Sequence, residues 1–62
     1  MEGFITWYSE YNSWGIFIVD ENFDYIIKPE YFCYKWEALE EKKKLSKQFG
    51  KIKWEIGKKE RD

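Results

Sequence analysis

The chain contains no histidine, and it has one cysteine, one proline and one methionine among its 62 residues. Without histidine, nucleophile–base pairs lack their usual base, and neither a serine-centred motif nor a glycine-rich phosphate loop takes its place. Cys33 has no partner within the chain for a disulfide, which fits a reducing compartment. We therefore expect a cytoplasmic protein that is not an enzyme and holds no cofactor.

Long hydrophobic runs are also missing. The longest apolar stretch, residues 16–19, is far too short to cross a membrane. The acidic, aromatic amino terminus does not follow the basic and then apolar pattern of a signal peptide. The acidic segment 20–24 lacks the glycine and the longer series of oxygen ligands that a calcium loop needs, so it predicts a hairpin turn and no metal site.

Aromatic residues are plentiful: four Trp, five Tyr and five Phe. A chain of this length buries only about 60% of its unfolded surface, so a stable core needs large side chains. Any single Phe or Tyr is therefore expected to pack inside rather than to bind a ligand.

Charge is divided unevenly along the chain. Residues 1–34 hold six acids and one lysine, a net charge of −5, whereas residues 35–62 hold ten bases and six acids, a net charge of +4. An overall charge of −1 argues against non-specific coating of DNA, which depends on many phosphate contacts. Binding through ring stacking needs few charges. The segment Lys51 to Arg61 is the candidate electrostatic patch, with ordinary solvated surface as the alternative.

β-Branched and aromatic residues predict three strands in the first half of the chain. The first runs from Phe4 to Tyr8, the second from Trp14 to Val19, and the third from Phe23 to Lys28, where Pro29 is expected to end it. The second strand is apolar on both faces. Either both faces are covered, or the outer one binds something.

Strong helix formers dominate the middle of the chain. Residues 35–49 predict a helix with Leu39 and Leu45 among its apolar positions and Gly50 as its stop. Segment 50–58 predicts a fourth strand, and 59–62 a basic tail. We expect one domain over residues 1–62, with a three-stranded meander in 1–34.

Four segments resemble the cold-shock domain family. E-G-F-I-T-W-Y (2–8), N-S-W-G-I-F (12–17), D-Y-I-I-K (24–28) and G-K-I-K-W-E-I (50–56) are similar to the family's E-G-x-V-K-W-F, K-G-F-G-F-I, D-V-F-V-H-F and G-x-x-V-x-F-E-V. The first three keep the family's spacing, and the likeness covers about 40 residues. It implies a mainly β fold, a small oligonucleotide-binding (OB-like) barrel, with a helix between strands three and four. Too few residues follow for a fifth strand, so the barrel is expected to be incompletely closed.

The resemblance also implies a function. Cold-shock domains stack bases of single-stranded RNA or DNA on exposed rings, each worth roughly 1–3 kcal/mol. It assigns stacking to Trp7 and Trp14 and a phosphate contact to Lys28. Three aromatic positions of the family are lost here, and three lost stacks would weaken binding by at least about two orders of magnitude. The predicted nucleic-acid contacts are Trp7, Trp14, Ile16, Ile26, Lys28, Lys51 and Lys53.

An alternative fits the same residues. The apolar patch of Trp14, Ile16, Ile18 and Ile26 is also typical of a protein–protein contact. The chain would then be an inhibitor or adaptor, of the kind that mobile genetic elements encode, using this patch or an open strand edge. An open edge would also permit a homodimer. If the helix docks over the patch, only the helix exterior and the basic tail stay available.

Overall fold

The computed structural model describes residues 1–58, in which four strands form a single sheet and one helix packs against one side of it. The elements are β1 (Glu2–Tyr8), β2 (Ser13–Val19), β3 (Tyr25–Phe32), α1 (Lys35–Phe49) and β4 (Lys53–Ile56). The predicted fold class is confirmed: mainly β, with one helix between the third and fourth strands. The predicted basic tail, 59–62, lies outside the described residues.

The sheet is open. Its strand order is β3-β2-β1-β4, with β1 antiparallel to β2 and parallel to β4. Among residues 1–58, β3 and β4 are therefore edge strands, and they do not pair with each other. This confirms the expectation that the barrel does not close.

The third strand does not end at Pro29, which corrects the sequence prediction. It continues to Phe32, because β3 is an edge strand and a proline without an N–H is tolerated there. Two register shifts interrupt its pairing with β2: Ile16 lies opposite Glu30, whereas Ile18 lies opposite Ile27. A second shift brings Tyr25 opposite Val19. These irregularities decide which side chains of β3 reach which face of the sheet.

The helix begins and ends where the sequence pattern predicts. The Tyr34 backbone N–H donates to Glu37 Oε1 at 3.1 Å, which satisfies a donor at the amino end. Gly50 has a φ of 78° and its N–H donates to the Ser46 carbonyl at 3.0 Å. The following strand begins at Lys53, three residues later than predicted, because residues 50–52 carry the chain from the helix back to the sheet.

The core lies between the helix and one face of the sheet, which we call the helix face. Its buried residues include one from β1, three from β2 and two from the helix: Ile5, Trp14, Ile16, Ile18, Ala38 and Leu45. Trp54 of β4 lies on the same face, over Gly3, and its Nε1 donates to Ser46 Oγ at 3.1 Å. The helix is thus anchored at both the centre and one edge of the sheet.

Candidate functional site

Two of the predicted nucleic-acid contacts belong to the core. Trp14 is 4% exposed and Ile16 is fully buried, both beneath the helix. Trp7 is half-buried, with its ring centroid 5.5 Å from that of Trp14. Lys35, the first residue of the helix, places its Nζ 5.1 Å from the Trp14 ring centroid, which adds a cation–π contact. The helix therefore covers the face where the resemblance expects base stacking.

The other predicted contacts are exposed and lie apart from one another. Ile26 and Lys28 are in the irregular part of β3, at one edge of the sheet. Lys53 is in β4, at the opposite edge, and Lys51 precedes that strand. The seven predicted residues do not form one surface in this structure. Their role in binding nucleic acid stays a prediction.

The opposite side of the sheet carries a second set of aromatic side chains and no helix. We call it the open face. Strand pairing identifies the residues of the open face, because residues that lie opposite each other share a face. Phe4 lies opposite Phe17, and Gly15 lies opposite Tyr31. The aromatic residues of the open face and of its adjoining turn are Phe4, Tyr8, Tyr11, Phe17, Tyr25 and Tyr31.

These rings touch in two groups. At one end, Phe4 stacks on Phe17 with centroids 5.2 Å apart, and Tyr25 meets Phe17 edge-on at 5.7 Å. At the other end, Tyr31 lies 5.5 Å from Tyr8 and 5.1 Å from Tyr11. Edge-on and tilted contacts of this kind are the favourable geometry for aromatic pairs. Within each group, the rings restrict one another through these contacts.

Gly15 makes room for the tyrosine group. A Cβ atom at this position would lie 2.5 Å from Cε2 of Tyr8 and 3.3 Å from Cε1 of Tyr31. Only glycine lets the Tyr8 ring cross β2 so closely. Burial raises the pKa of Tyr8, and the phenols of Tyr31, Tyr25 and Tyr11 raise it further. The four phenols thus lie close enough to interact electrostatically.

The tyrosines remain available to a ligand. Tyr11, Tyr25 and Tyr31 are 59%, 56% and 48% exposed. Within residues 1–58, no side chain or backbone group forms a hydrogen bond with the hydroxyls of these three residues or of Tyr8. A tyrosine hydroxyl both donates and accepts, so the open face offers an apolar platform with four free polar groups.

The open face lies in the acidic part of the molecule. Glu2 lies opposite Val19 and Lys53, and Glu55 lies opposite Phe4. These pairings place Glu2, Glu55 and Lys53 on the open face. The three-stranded part, residues 1–34, has a net charge of −5. Residues 35–58 hold eight lysines and four acids, a net charge of +4. Positive charge is concentrated in the helix and the β4 segment.

Sequence reasoning did not assign the tyrosines to a face. The orientation of Tyr8, Tyr11 and Tyr31 depends on turn geometry and on the register of β3. The one available signal was the alternation of β2, which separates Phe17 and Val19 from Trp14, Ile16 and Ile18. It indicated two apolar faces without indicating which one the helix covers.

Comparisons with known proteins add no assignment. No protein-family model matches the chain, and no curated protein or solved structure is significantly similar to it. Over residues 1–58, no helix is both long and apolar enough to cross a membrane. In the same range, no three His, Cys, Asp or Glu side chains are grouped so that they could hold a metal ion. Function must therefore be argued from the open face itself.

Proposed function

We propose that this protein is a small protein-binding module whose open face is the contact surface. One observation carries the proposal: two groups of three contacting aromatic rings occupy the open face and its adjoining turn, which the helix does not cover, and the hydroxyls of the four tyrosines form no hydrogen bond within the described residues. Contiguous exposed aromatic surface marks an interaction site on a small monomer. Tyrosine is among the residues most enriched at protein interfaces.

The arrangement favours a protein ligand on energetic grounds. A tyrosine side chain has two rotatable angles, so it loses little entropy when a partner covers it. Here that loss is smaller still, because Tyr8, Tyr11 and Tyr31 already restrict one another. The face is therefore preorganised, and more of the contact energy appears as affinity.

Single-stranded nucleic acid is the second candidate for the same face. The observation in its favour is that Tyr11, Tyr25 and Tyr31 expose about half of their surface or more, enough for bases to stack. Lys28 and Lys53 are exposed at opposite edges of the sheet and suit phosphates. The net charge of −5 on the three-stranded part opposes the polyanion, however, so we rank this function second.

Site-specific photo-crosslinking in the native cell tests the proposal. p-Benzoylphenylalanine, a photoreactive phenylalanine derivative larger than tyrosine, would replace Tyr25, whose 56% exposure leaves room for it on the open face. The matched control carries it at Trp36, which is 63% exposed on the helix. We expect a discrete protein adduct at position 25 that Tyr31→Ala removes, and none at position 36. Adducts at position 36 with none at 25 would contradict the assignment.

The competing function needs its own measurement. Fluorescence anisotropy of a labelled pyrimidine-rich single strand would be followed at low and moderate salt. We expect little binding, and any signal should disappear with salt because only a few lysines are involved. Saturable binding that survives moderate salt and is abolished by Tyr31→Ala would favour the nucleic-acid function instead.

A further inference from the structure

We infer that the partner presents a cationic, arginine-rich segment to the open face. This inference rests on the proposed function and specifies its ligand. Two features of the structure carry it: the sign of the charge around the face, and the exposed ring surfaces at its centre.

The charge around the face selects among possible occupants. Glu55 lies opposite Phe4, and Glu2 lies opposite Val19 on the same face, where Lys53, opposite Glu2, offsets one of these two charges. Glu10 is exposed in the turn between Tyr8 and Tyr11. Further acids follow β2 in the second turn: Asp20, Glu21 and Asp24. A second copy of the chain docked open face to open face, or a nucleic acid, would bring negative charge to negative charge, whereas a basic segment is attracted.

The ring spacing indicates how a cation would bind. Two rings that enclose a planar group must be about 7 Å apart, twice the normal contact distance of about 3.5 Å. The centroids of Tyr8, Tyr11 and Tyr31 are only 5.1 to 6.3 Å apart, so no cation fits between them. A cation must therefore lie on the outer surface of the group, as on a platform.

This geometry favours arginine over lysine. A guanidinium is planar, so it can stack flat on a tyrosine ring while its N–H groups reach a neighbouring hydroxyl or carboxylate. An ammonium group offers a point charge without the stacking surface. The tyrosine hydroxyls, which form no hydrogen bond within residues 1–58, and the exposed carboxylate of Glu10 are suitable acceptors.

Three matched peptides test the inference. The full chain, labelled with ¹⁵N, would be titrated with a flexible decapeptide containing four arginines, with its lysine counterpart, and with its citrulline counterpart. Citrulline keeps the shape of arginine and removes its charge. Each exposed cation–π contact changes affinity by about two- to five-fold. With several contacts, we expect the arginine peptide to bind at least about ten-fold more tightly than the citrulline peptide, and the lysine peptide to be intermediate.

Variants identify the surface. Tyr25→Ala and Tyr31→Ala remove exposed rings and should each weaken the arginine peptide several-fold while the fold is retained. Trp36→Ala, an exposed ring of similar size on the helix, should leave its affinity unchanged. Backbone amide shifts should concentrate in β1, β2 and β3. Shifts confined to the helix, or equal loss in all three variants, would overturn the inference.

The crosslinking and peptide experiments distinguish failure of the proposed function from failure of the inference about its ligand. If photo-crosslinking at Tyr25 captures a protein, yet the arginine and citrulline peptides bind equally or neither binds, the open face is an interface but its ligand is not cationic. If position 25 yields no adduct while the arginine peptide binds selectively, the chemistry holds without a protein partner in that cell. Failure of both experiments overturns both proposals.

Discussion

Two identical substitutions, Ile16→Ala and Ile26→Ala, distinguish the arrangement described here from the one that the sequence suggests. Both isoleucines belong to the predicted contact patch, and both replace aromatic positions of the cold-shock pattern. In the structure, Ile16 is fully buried under the helix, whereas Ile26 is 39% exposed in the irregular part of the edge strand. Their substitution should therefore have very different effects on stability.

The expected magnitudes follow from burial. Removing a fully buried isoleucine side chain costs about 2–5 kcal/mol, because the lost transfer energy is joined by a cavity term. Truncating Ile26, which water already reaches, leaves no closed cavity and should cost about 1 kcal/mol or less. A domain of 62 residues has about 3–9 kcal/mol of stability in total. Ile16→Ala thus removes a large part of it.

Urea unfolding followed by circular dichroism measures both free energies. If Ile16→Ala is too unstable for analysis, Ile16→Val gives a smaller loss of about 0.5–1.5 kcal/mol and keeps the comparison possible. Equal losses at the two positions, or a negligible loss at Ile16, would show that the helix does not cover this face. Such a result would return Trp14 and Ile16 to the candidate binding surface.

Glycine substitutions and pH test other parts of the structure. Gly3→Ala should cost about 1–3 kcal/mol of unfolding free energy, because its Cβ would lie 2.5 Å from the Trp54 ring. The control Gly57→Ala, whose Cβ would lie 3.4 Å from its nearest atom, should be nearly neutral. Equal effects of the two substitutions would argue against the docking of Trp54. Gly50→Ala should cost about 1–2 kcal/mol because of its φ of 78°, and an unaltered urea midpoint would contradict that backbone conformation. The raised pKa of Tyr8 contributes stability that is complete below the unfolded value of about 10 and is lost as pH rises through the folded value. Tyr8→Phe should therefore reduce the alkaline loss of stability, and a pH profile identical to that of the parent chain would refute this.

Much of the architecture follows from local patterns in the sequence. Strong helix formers and Gly50 define the helix, and β-branched and aromatic residues define the first two strands. Pro29 was misleading because its effect depends on whether its strand is at an edge, and edges are set by tertiary pairing. The parallel pairing of β4 with β1 likewise has no signature within either strand.

The candidate site was harder to predict because β2 is apolar on both faces. Trp14 and Ile16 could pack equally well against the helix or against a ligand, and the hydrophobic pattern alone does not distinguish these two roles. Tyr25, Ile27 and Tyr31 would share one face of a regular strand, yet two register shifts place Ile27 opposite Ile18 on the helix face while Tyr25 and Tyr31 lie on the open face. A shift of one residue exchanges the faces of a strand, and no sequence signal positioned these shifts in advance.

The aromatic residues provide a direct test, because three of the four tryptophans lie on the helix face and four of the five tyrosines belong to the open face or its turn. We would record ¹⁹F NMR spectra of the chain labelled with fluorotyrosine, and separately with fluorotryptophan, during titration with the arginine peptide. The account predicts that the signals of Tyr8, Tyr11, Tyr25 and Tyr31 move while those of Trp7 and Trp14 stay fixed. Movement of the Trp7 and Trp14 signals with the tyrosine signals unchanged would contradict it, and would place the binding surface on the face that the helix covers.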